Sequence, residues 1–177
     1  MSEVLKNIIR FSLFILIQVF VLFQVKPLHQ FIVPYLYFLY ILWLPFNTPR
    51  IALTFIGFVF GLSLDYFTKT PGLHAAACTL IAYIRPFLVN ILISQEGADQ
   101  NYKSPSVTSM GLVPYATYVV ILTLLHHIFL VLLEWLQFGS FWFFIGKVFA
   151  TSGISLVLIV LTELLFYRKQ KFRTNTI

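Results

Sequence analysis

The chain has 177 residues, of which 59% are hydrophobic and only 10% are charged. Soluble domains carry about 25% charged residues, and a sphere of this size could not hide so much apolar surface from water. The composition therefore predicts an integral membrane protein. The net charge is +6, but the basic residues are scattered between apolar blocks, which argues against nucleic-acid binding. The one cysteine, Cys78, lies in an apolar stretch, which excludes a disulfide framework and a cysteine-based zinc site.

Six apolar blocks follow one another and predict an all-α polytopic bundle of about six transmembrane helices in one domain. A spanning helix needs roughly 20 residues, so the second and third blocks are short. The first block is expected to remain as an anchor, because no small-x-small cleavage pattern follows it. The predicted spans are 8–25, 31–46, 51–67, 72–93, 111–133 and 141–166, with a polar loop at 94–110 and a basic tail at 167–177.

The positions of lysine and arginine predict how the chain is oriented. If six helices start from a cytoplasmic N-terminus, nine of the twelve basic residues lie at the inner face, which is the positive-inside pattern. Both termini, the 94–110 loop and the tail are therefore expected in the cytoplasm, where the tail would attract anionic lipids. The three basic residues expected outside are Lys26, Lys69 and Lys147.

Small residues at helical spacing predict a packing face on the third span. Gly57, Gly61 and Asp65 follow one another at i, i+4 and i+8, so they lie on one side of the helix. Glycines there let another helix backbone come close, either within the chain or from a partner. Asp65 is then either paired inside the bundle or a wet cap at the helix end. With a hydrogen-bonding role, Asp65→Asn should be tolerated and Asp65→Leu should not.

The sequence around Gly72 predicts a tight turn into the fourth span, because Thr70-Pro71-Gly72 combines a fixed φ with a residue that permits positive φ. His74 lies across this hairpin from Asp65. The two side chains could therefore meet in a proton relay, but a lone histidine can equally make a packing hydrogen bond.

Further polar and small residues stand out in the later spans. Arg85 precedes Pro86 and is expected either to reach the interface beside a kink or to form an ion pair. His126 and His127 point about 100° apart on a helix, so they cannot hold one metal in the i, i+4 manner. A second small-residue face, on the last span, is formed by Gly146, Ala150 and Gly153.

Catalytic patterns are scarce in this sequence. The acids that fall in or beside the predicted spans are Asp65 and Glu163. The chain has no convincing phosphate-binding loop, nucleophile elbow or metal-ligand motif. The expectation is a protein that is not an enzyme and that uses no cofactor or metal. The small-residue faces of the third and last spans then offer surfaces on which a partner helix could dock.

Three motifs between Pro45 and Arg85 resemble the rod shape-determining membrane protein MreD, in the form seen in Bacteroidetes-like bacteria. Outside this stretch the resemblance is one of length and hydropathy. It implies a fold similar to the substrate-binding membrane component of energy-coupling-factor transporters. The three motifs are PFNTPR, IGFVFGLSLDYF and TPGLHAAACTLIAYIR.

The resemblance implies a non-catalytic scaffold in the bacterial inner membrane. Such a scaffold would bind an MreC-type bitopic protein and act with the MreB filament and with RodA and its penicillin-binding transpeptidase, directing lateral peptidoglycan synthesis and rod shape. The alternative is the substrate-binding component of a vitamin transporter of the energy-coupling-factor type. Such components resemble one another in an alanine-rich first helix, whereas the block from Ile8 to Val25 contains no alanine and no glycine.

Overall fold

The computed structural model describes residues 3–25, 33–93, 103–136 and 140–165, and the regular secondary structure within these ranges is entirely helical. The predicted basic tail, 167–177, and the first part of the predicted loop, 94–102, lie outside the described residues. The helices are α1 (Glu3–Phe20), α2 (Leu39–Leu42), α3 (Arg50–Thr68), α4 (Leu73–Leu92), α5 (Val107–Met110), α6 (Leu112–Trp135) and α7 (Phe141–Leu165).

Within the described ranges, five helices are long and apolar enough to cross a membrane: α1 with the 3₁₀ turn that follows it, α3, α4, α6 and α7. This confirms the all-α class and places an apolar span at five of the six predicted positions. α6 continues to Trp135, two residues beyond the predicted end. Glu134 therefore belongs to a long apolar helix, and the expectation that Asp65 and Glu163 are the acids in or beside the spans is wrong.

The predicted second span, 31–46, is not a helix of membrane-spanning length in its described part. Residues 33–36 have no regular secondary structure, a turn follows, and α2 covers only Leu39–Leu42. Pro34 explains the difference, because it has no N–H to donate and disfavours helix at the residue before it. Backbone hydrogen bonds between residues three positions apart then form the turn. One of them runs from the Tyr40 N–H to the Tyr37 carbonyl at 3.0 Å.

Residues 33–46, named the crossing segment here, run through the bundle between α1 and α3. The rings of Phe11 and Phe60 lie 5.0 Å apart and those of Phe20 and Phe67 lie 6.3 Å apart, so α1 and α3 run in the same direction. The chain that connects the end of α1 to the start of α3 must therefore cross the bundle in the opposite direction.

The bundle has a terminal end, where α1 begins and α7 ends, and a hairpin end, where α3 turns into α4. In the described chain, the five long helices and the crossing segment cross the bundle six times in alternating directions. Glu3 and Leu165 therefore lie at the same end, the terminal end. There the Phe46 N–H donates to the carbonyl of Lys103 at 2.9 Å. The core lies around the crossing segment, whose residues from Tyr37 to Leu42 are at most 5% exposed.

Candidate functional site

The crossing segment carries backbone groups that no helix satisfies, and a glutamine of α1 bonds three of them. Gln18 is fully buried. Its Oε1 accepts from the N–H of Leu36 at 2.9 Å and of Tyr37 at 3.2 Å. Its Nε2 donates to the carbonyl of Pro34 at 2.9 Å. Irregular backbone is tolerated at membrane depth only where other protein groups form hydrogen bonds with its N–H and C=O groups. Gln18 forms such hydrogen bonds in place of those that a helix would form within itself.

Two residues of α4 and α6 support the other half of the crossing segment. The Tyr118 hydroxyl donates to the carbonyl of Leu42 at 2.9 Å. Arg85 donates to the carbonyl of Leu44, and its Nε donates to the Tyr118 hydroxyl at 2.8 Å. Arg85 is only 2% exposed and these two partners are neutral, so it neither reaches the interface nor forms the expected ion pair among the described residues. It holds the crossing segment in place.

A hydrogen-bonded group closes the terminal end of the crossing segment. Nε1 of Trp43 donates to Oε1 of Glu163 at 2.8 Å and to the Tyr115 hydroxyl at 3.2 Å. The Tyr115 hydroxyl donates to the same carboxylate oxygen. Glu163 therefore joins α6, α7 and the crossing segment.

A buried group of imidazole and aromatic rings surrounds Tyr37. Its hydroxyl lies 2.8 Å from Nδ1 of His74 and 2.8 Å from Nε2 of His126, and the ring of Phe38 stacks on His126 at 4.5 Å. Because the hydroxyl has one proton, it donates to one imidazole and accepts from the other. The imidazole of His74 thus makes a packing bond to Tyr37, and only its backbone N–H contacts Asp65.

His127, which follows His126 on α6, points to another helix. This is expected, because successive side chains of a helix point about 100° apart. Nε2 of His127 lies 3.1 Å from Oγ of Ser155 on α7, and this oxygen also accepts from the Tyr35 N–H at 3.2 Å. The described residues contain no group of three or more His, Cys, Asp or Glu side chains placed to hold a metal ion. The histidines therefore join α4, α6 and α7 to the crossing segment.

Asp65 caps the start of α4. Its Oδ1 accepts from the His74 N–H at 2.8 Å and from the Thr70 hydroxyl at 3.3 Å. Its Oδ2 accepts from the N–H groups of Gly72 and Ala75, both at 3.0 Å. The first amides of a helix have no partner inside it, and its dipole favours a negative charge there. Asp65 is 3% exposed, so it is a buried cap that fixes the α3–α4 hairpin.

The turn of this hairpin uses two residues with positive φ. Lys69 has φ 58° and its N–H donates to the carbonyl of Asp65, and Gly72 has φ 88°. Glycine adopts this left-handed conformation without strain. The structure thus has the tight turn predicted at Thr70–Gly72.

Gly57 and Gly61 bring the backbones of α3 and α4 together. A Cβ on Gly57 would lie 2.7 Å from the Cβ of Ala82, and a Cβ on Gly61 would lie 2.5 Å from the Cα of Ala75. The face is therefore the packing surface that the spacing predicts, but α4 of the same chain covers it. The expectation that a partner helix could dock on this face is wrong.

In the part of the chain that the structure describes, the small-residue face of α7 is open. Gly146 and Gly153 are exposed and Ala150 is half-buried. A Cβ on Gly153 would meet no atom within 4 Å. The two small-residue faces expected from the sequence thus differ: α3 uses its face inside the bundle, and α7 presents its face to the surroundings.

A cavity of about 590 Å³ lies at the hairpin end, between the α3–α4 turn, the last turns of α6 and the first half of α7. Glu134 and Lys147 form an ion pair in its wall. Sequence reasoning missed this pair because it placed the end of α6 before Glu134. The residues that line the cavity are Lys69, Thr70, Pro71, Leu73, Val131, Leu133, Glu134, Trp135, Phe143 and Lys147.

Searches of protein-family models, of curated proteins and of solved structures find no match to this chain. The family resemblance read from the motifs therefore stays a prediction.

Sequence reasoning also missed the residues that support the crossing segment. Gln18, Tyr118 and Ser155 lie far from the segment in sequence, and none of them belongs to a motif. One signal was present: Pro34 interrupts the second block, and the amides that it frees must find partners. Buried polar residues in the other spans, Gln18 among them, are the natural candidates.

We expect Gln18→Leu to lower the free energy of unfolding by about 2 kcal/mol, since neutral hydrogen bonds contribute about 1 kcal/mol each and two of the three share one oxygen. Reversible unfolding in mixed detergent micelles measures this change. Gln24→Leu is the matched control, because Gln24 is exposed at the end of the same span and should leave stability unchanged. Equal stability of both variants would contradict the supporting role of Gln18.

Proposed function

We propose that this chain is a non-catalytic scaffold of the bacterial inner membrane, of the MreD type, which binds an MreC-type bitopic protein. It acts in the elongation machinery with the MreB filament and with RodA and its penicillin-binding transpeptidase, and so directs lateral peptidoglycan synthesis and rod shape. Both termini lie in the cytoplasm. The terminal end of the bundle then faces the cytoplasm and the hairpin end faces outward, with the basic tail near anionic lipids of the inner leaflet.

Three polar residues of the stretch from Pro45 to Arg85 support a scaffold, because the side chain of each has a structural partner. Asp65 caps α4, the His74 ring bonds Tyr37, and Arg85 holds the crossing segment. These groups maintain a fixed shape, which is what a protein that positions partners requires.

The open small-residue face of α7 is the observation that carries the proposal. Transmembrane helices associate through small residues that let backbones come close. Gly153 offers such a surface with nothing packed on it in the described structure. The single helix of a bitopic partner is the occupant that fits a face one helix wide.

One observation favours the alternative, the substrate-binding component of a vitamin transporter: the cavity at the hairpin end is large enough for a small molecule. The bundle axis, in contrast, is filled by the fully buried side chains of Tyr37, Phe38 and Ile41. Purification from native membranes separates the two functions. A co-purifying bitopic membrane protein supports the scaffold, and a stoichiometric vitamin-like molecule supports the transporter component.

We expect Gly153→Leu to reduce recovery of a co-expressed MreC-type protein about tenfold or more, because a large side chain keeps the partner backbone away from α7. The variant should fold normally, since Gly153 is exposed and unobstructed. Affinity purification followed by quantitative mass spectrometry measures the recovery. Ala116→Leu is the matched control, because it enlarges an exposed small residue on α6. Full recovery with Gly153→Leu would exclude this face as the docking surface.

A further inference from the structure

We propose that the cavity at the hairpin end binds the phosphodiester headgroup of an anionic membrane lipid, with Lys69 as the residue that pairs with the phosphate. The inference does not depend on the partner of the proposed scaffold. It rests on the charges in the cavity wall, on its apolar lining and on its place at the end of the long helices.

Among the described residues, one cation of the cavity lining has no counter-ion. Lys147 is paired with Glu134, so these two charges compensate each other. The ammonium group of Lys69 has no hydrogen-bond or ion-pair partner among the described residues. The backbone N–H of Lys69 donates to the carbonyl of Asp65, which fixes the backbone of this lining residue. The lining therefore carries one net positive charge, and a phosphodiester carries one negative charge.

The first amides of α4 are not part of this site. The carboxylate of Asp65 already accepts from the N–H groups of Gly72, His74 and Ala75. A phosphate in the cavity must therefore be bound by side chains, and the lysine is the side chain suited to it.

The apolar part of the lining selects a lipid over a small soluble anion. Leu73, Val131, Leu133 and Phe143 line the cavity, and Trp135 lies beside them. A volume of about 590 Å³ greatly exceeds that of a phosphate ion and suits a headgroup with the start of its acyl chains. The cavity also lies at an end of the long helices, where tryptophan and lysine meet the headgroup region of a bilayer.

The test is native mass spectrometry of the full chain in detergent, titrated with phosphatidylglycerol and with phosphatidylcholine. We expect phosphatidylglycerol to bind at least about tenfold more tightly, and Lys69→Gln to remove most of this difference, because a hydrogen bond to a charged group is worth about a factor of ten or more. Lys69 is exposed, so Lys69→Gln should fold. Leu133→Trp, which fills the cavity, should weaken binding to a similar extent.

Lys103→Gln is the matched control, because it removes one exposed positive charge at the terminal end and should leave binding unchanged. The basic tail is the same in every variant and contributes equally to all of them. Wild-type affinity in Lys69→Gln, or equal binding of the two lipids, would overturn the proposal. Displacement of phosphatidylglycerol by millimolar inorganic phosphate or glycerol 1-phosphate would show that the cavity takes a soluble phosphate, which would overturn the lipid assignment.

Discussion

Replacing Gly61 by alanine should destabilise the fold severely, by roughly 3 kcal/mol, which is the upper end of the range for overpacked cores. The added Cβ would lie 2.5 Å from the Cα of Ala75 and 2.5 Å from the carbonyl oxygen of His74. Both are backbone atoms, so no side chain can rotate away and the two helices must separate. Separation would also strain the hydrogen bonds from the start of α4 to Asp65. Reversible unfolding in mixed micelles and fluorescence-detected size exclusion measure the loss.

Gly153→Ala is the control for this prediction, since it adds the same methyl group to a glycine of another long helix. The new Cβ would meet no atom within 4 Å, and alanine favours helix over glycine by up to about 1 kcal/mol. We expect unchanged or slightly higher stability. If Gly61→Ala were as stable as Gly153→Ala, α3 and α4 would not pack as described.

Asp65→Asn should also destabilise the protein, by roughly 3 kcal/mol, because hydrogen bonds to a charged group contribute about 1.5–3 kcal/mol each. Both carboxylate oxygens accept hydrogen bonds: Oδ1 from His74 and Thr70, and Oδ2 from Gly72 and Ala75. An asparagine places an NH₂ group against N–H donors in either orientation of its amide. The sequence led to the expectation that asparagine is tolerated at this position, and the geometry instead predicts that it is not.

Thr70→Val is the control, because it removes only the 3.3 Å hydrogen bond to Asp65 and should cost about 1 kcal/mol or less. Asp65→Leu should be at least as damaging as Asp65→Asn. Detergent melting of the three variants ranks them. A stable Asp65→Asn protein would show that the carboxylate does not accept these four bonds. If such a stable variant failed to support rod shape, the charge itself would be required for function.

The sequence determines the apolar character of the bundle and most of its long helices. A long run of apolar residues with few charges forms a helix in a low-dielectric environment unless groups elsewhere in the protein bond its backbone. The α3–α4 hairpin is also local: the spacing of Gly57, Gly61 and Asp65 and the turn at Thr70–Gly72 lie within a short stretch. The turn and the glycine face could therefore be predicted from that stretch alone, whereas the helix that covers the face could not.

The crossing segment could not be predicted in the same way. Its residues are as apolar as those of the helical blocks, and hydropathy does not distinguish a helix from an extended chain. Pro34 signals an interruption, but the outcome depends on whether distant groups can bond the freed amides. Gln18 accepts from two backbone N–H groups of the segment, and Tyr118 and Arg85 donate to two of its carbonyls, so three different helices supply the bonds. Their bonding partners follow only once these helices are packed.

Tertiary structure also decided the roles of the residues that the sequence singled out. Two similar small-residue faces were predicted, and only packing shows that α4 covers the one on α3 while Gly153 on α7 stays open. Arg85 was expected at the interface or in an ion pair, and it instead bonds the carbonyl of Leu44. The physical reason is the same in each case. The positions of the apolar blocks follow from local composition. Whether a block is helical, and which partner a buried polar or small residue has, depends on which distant groups lie beside it.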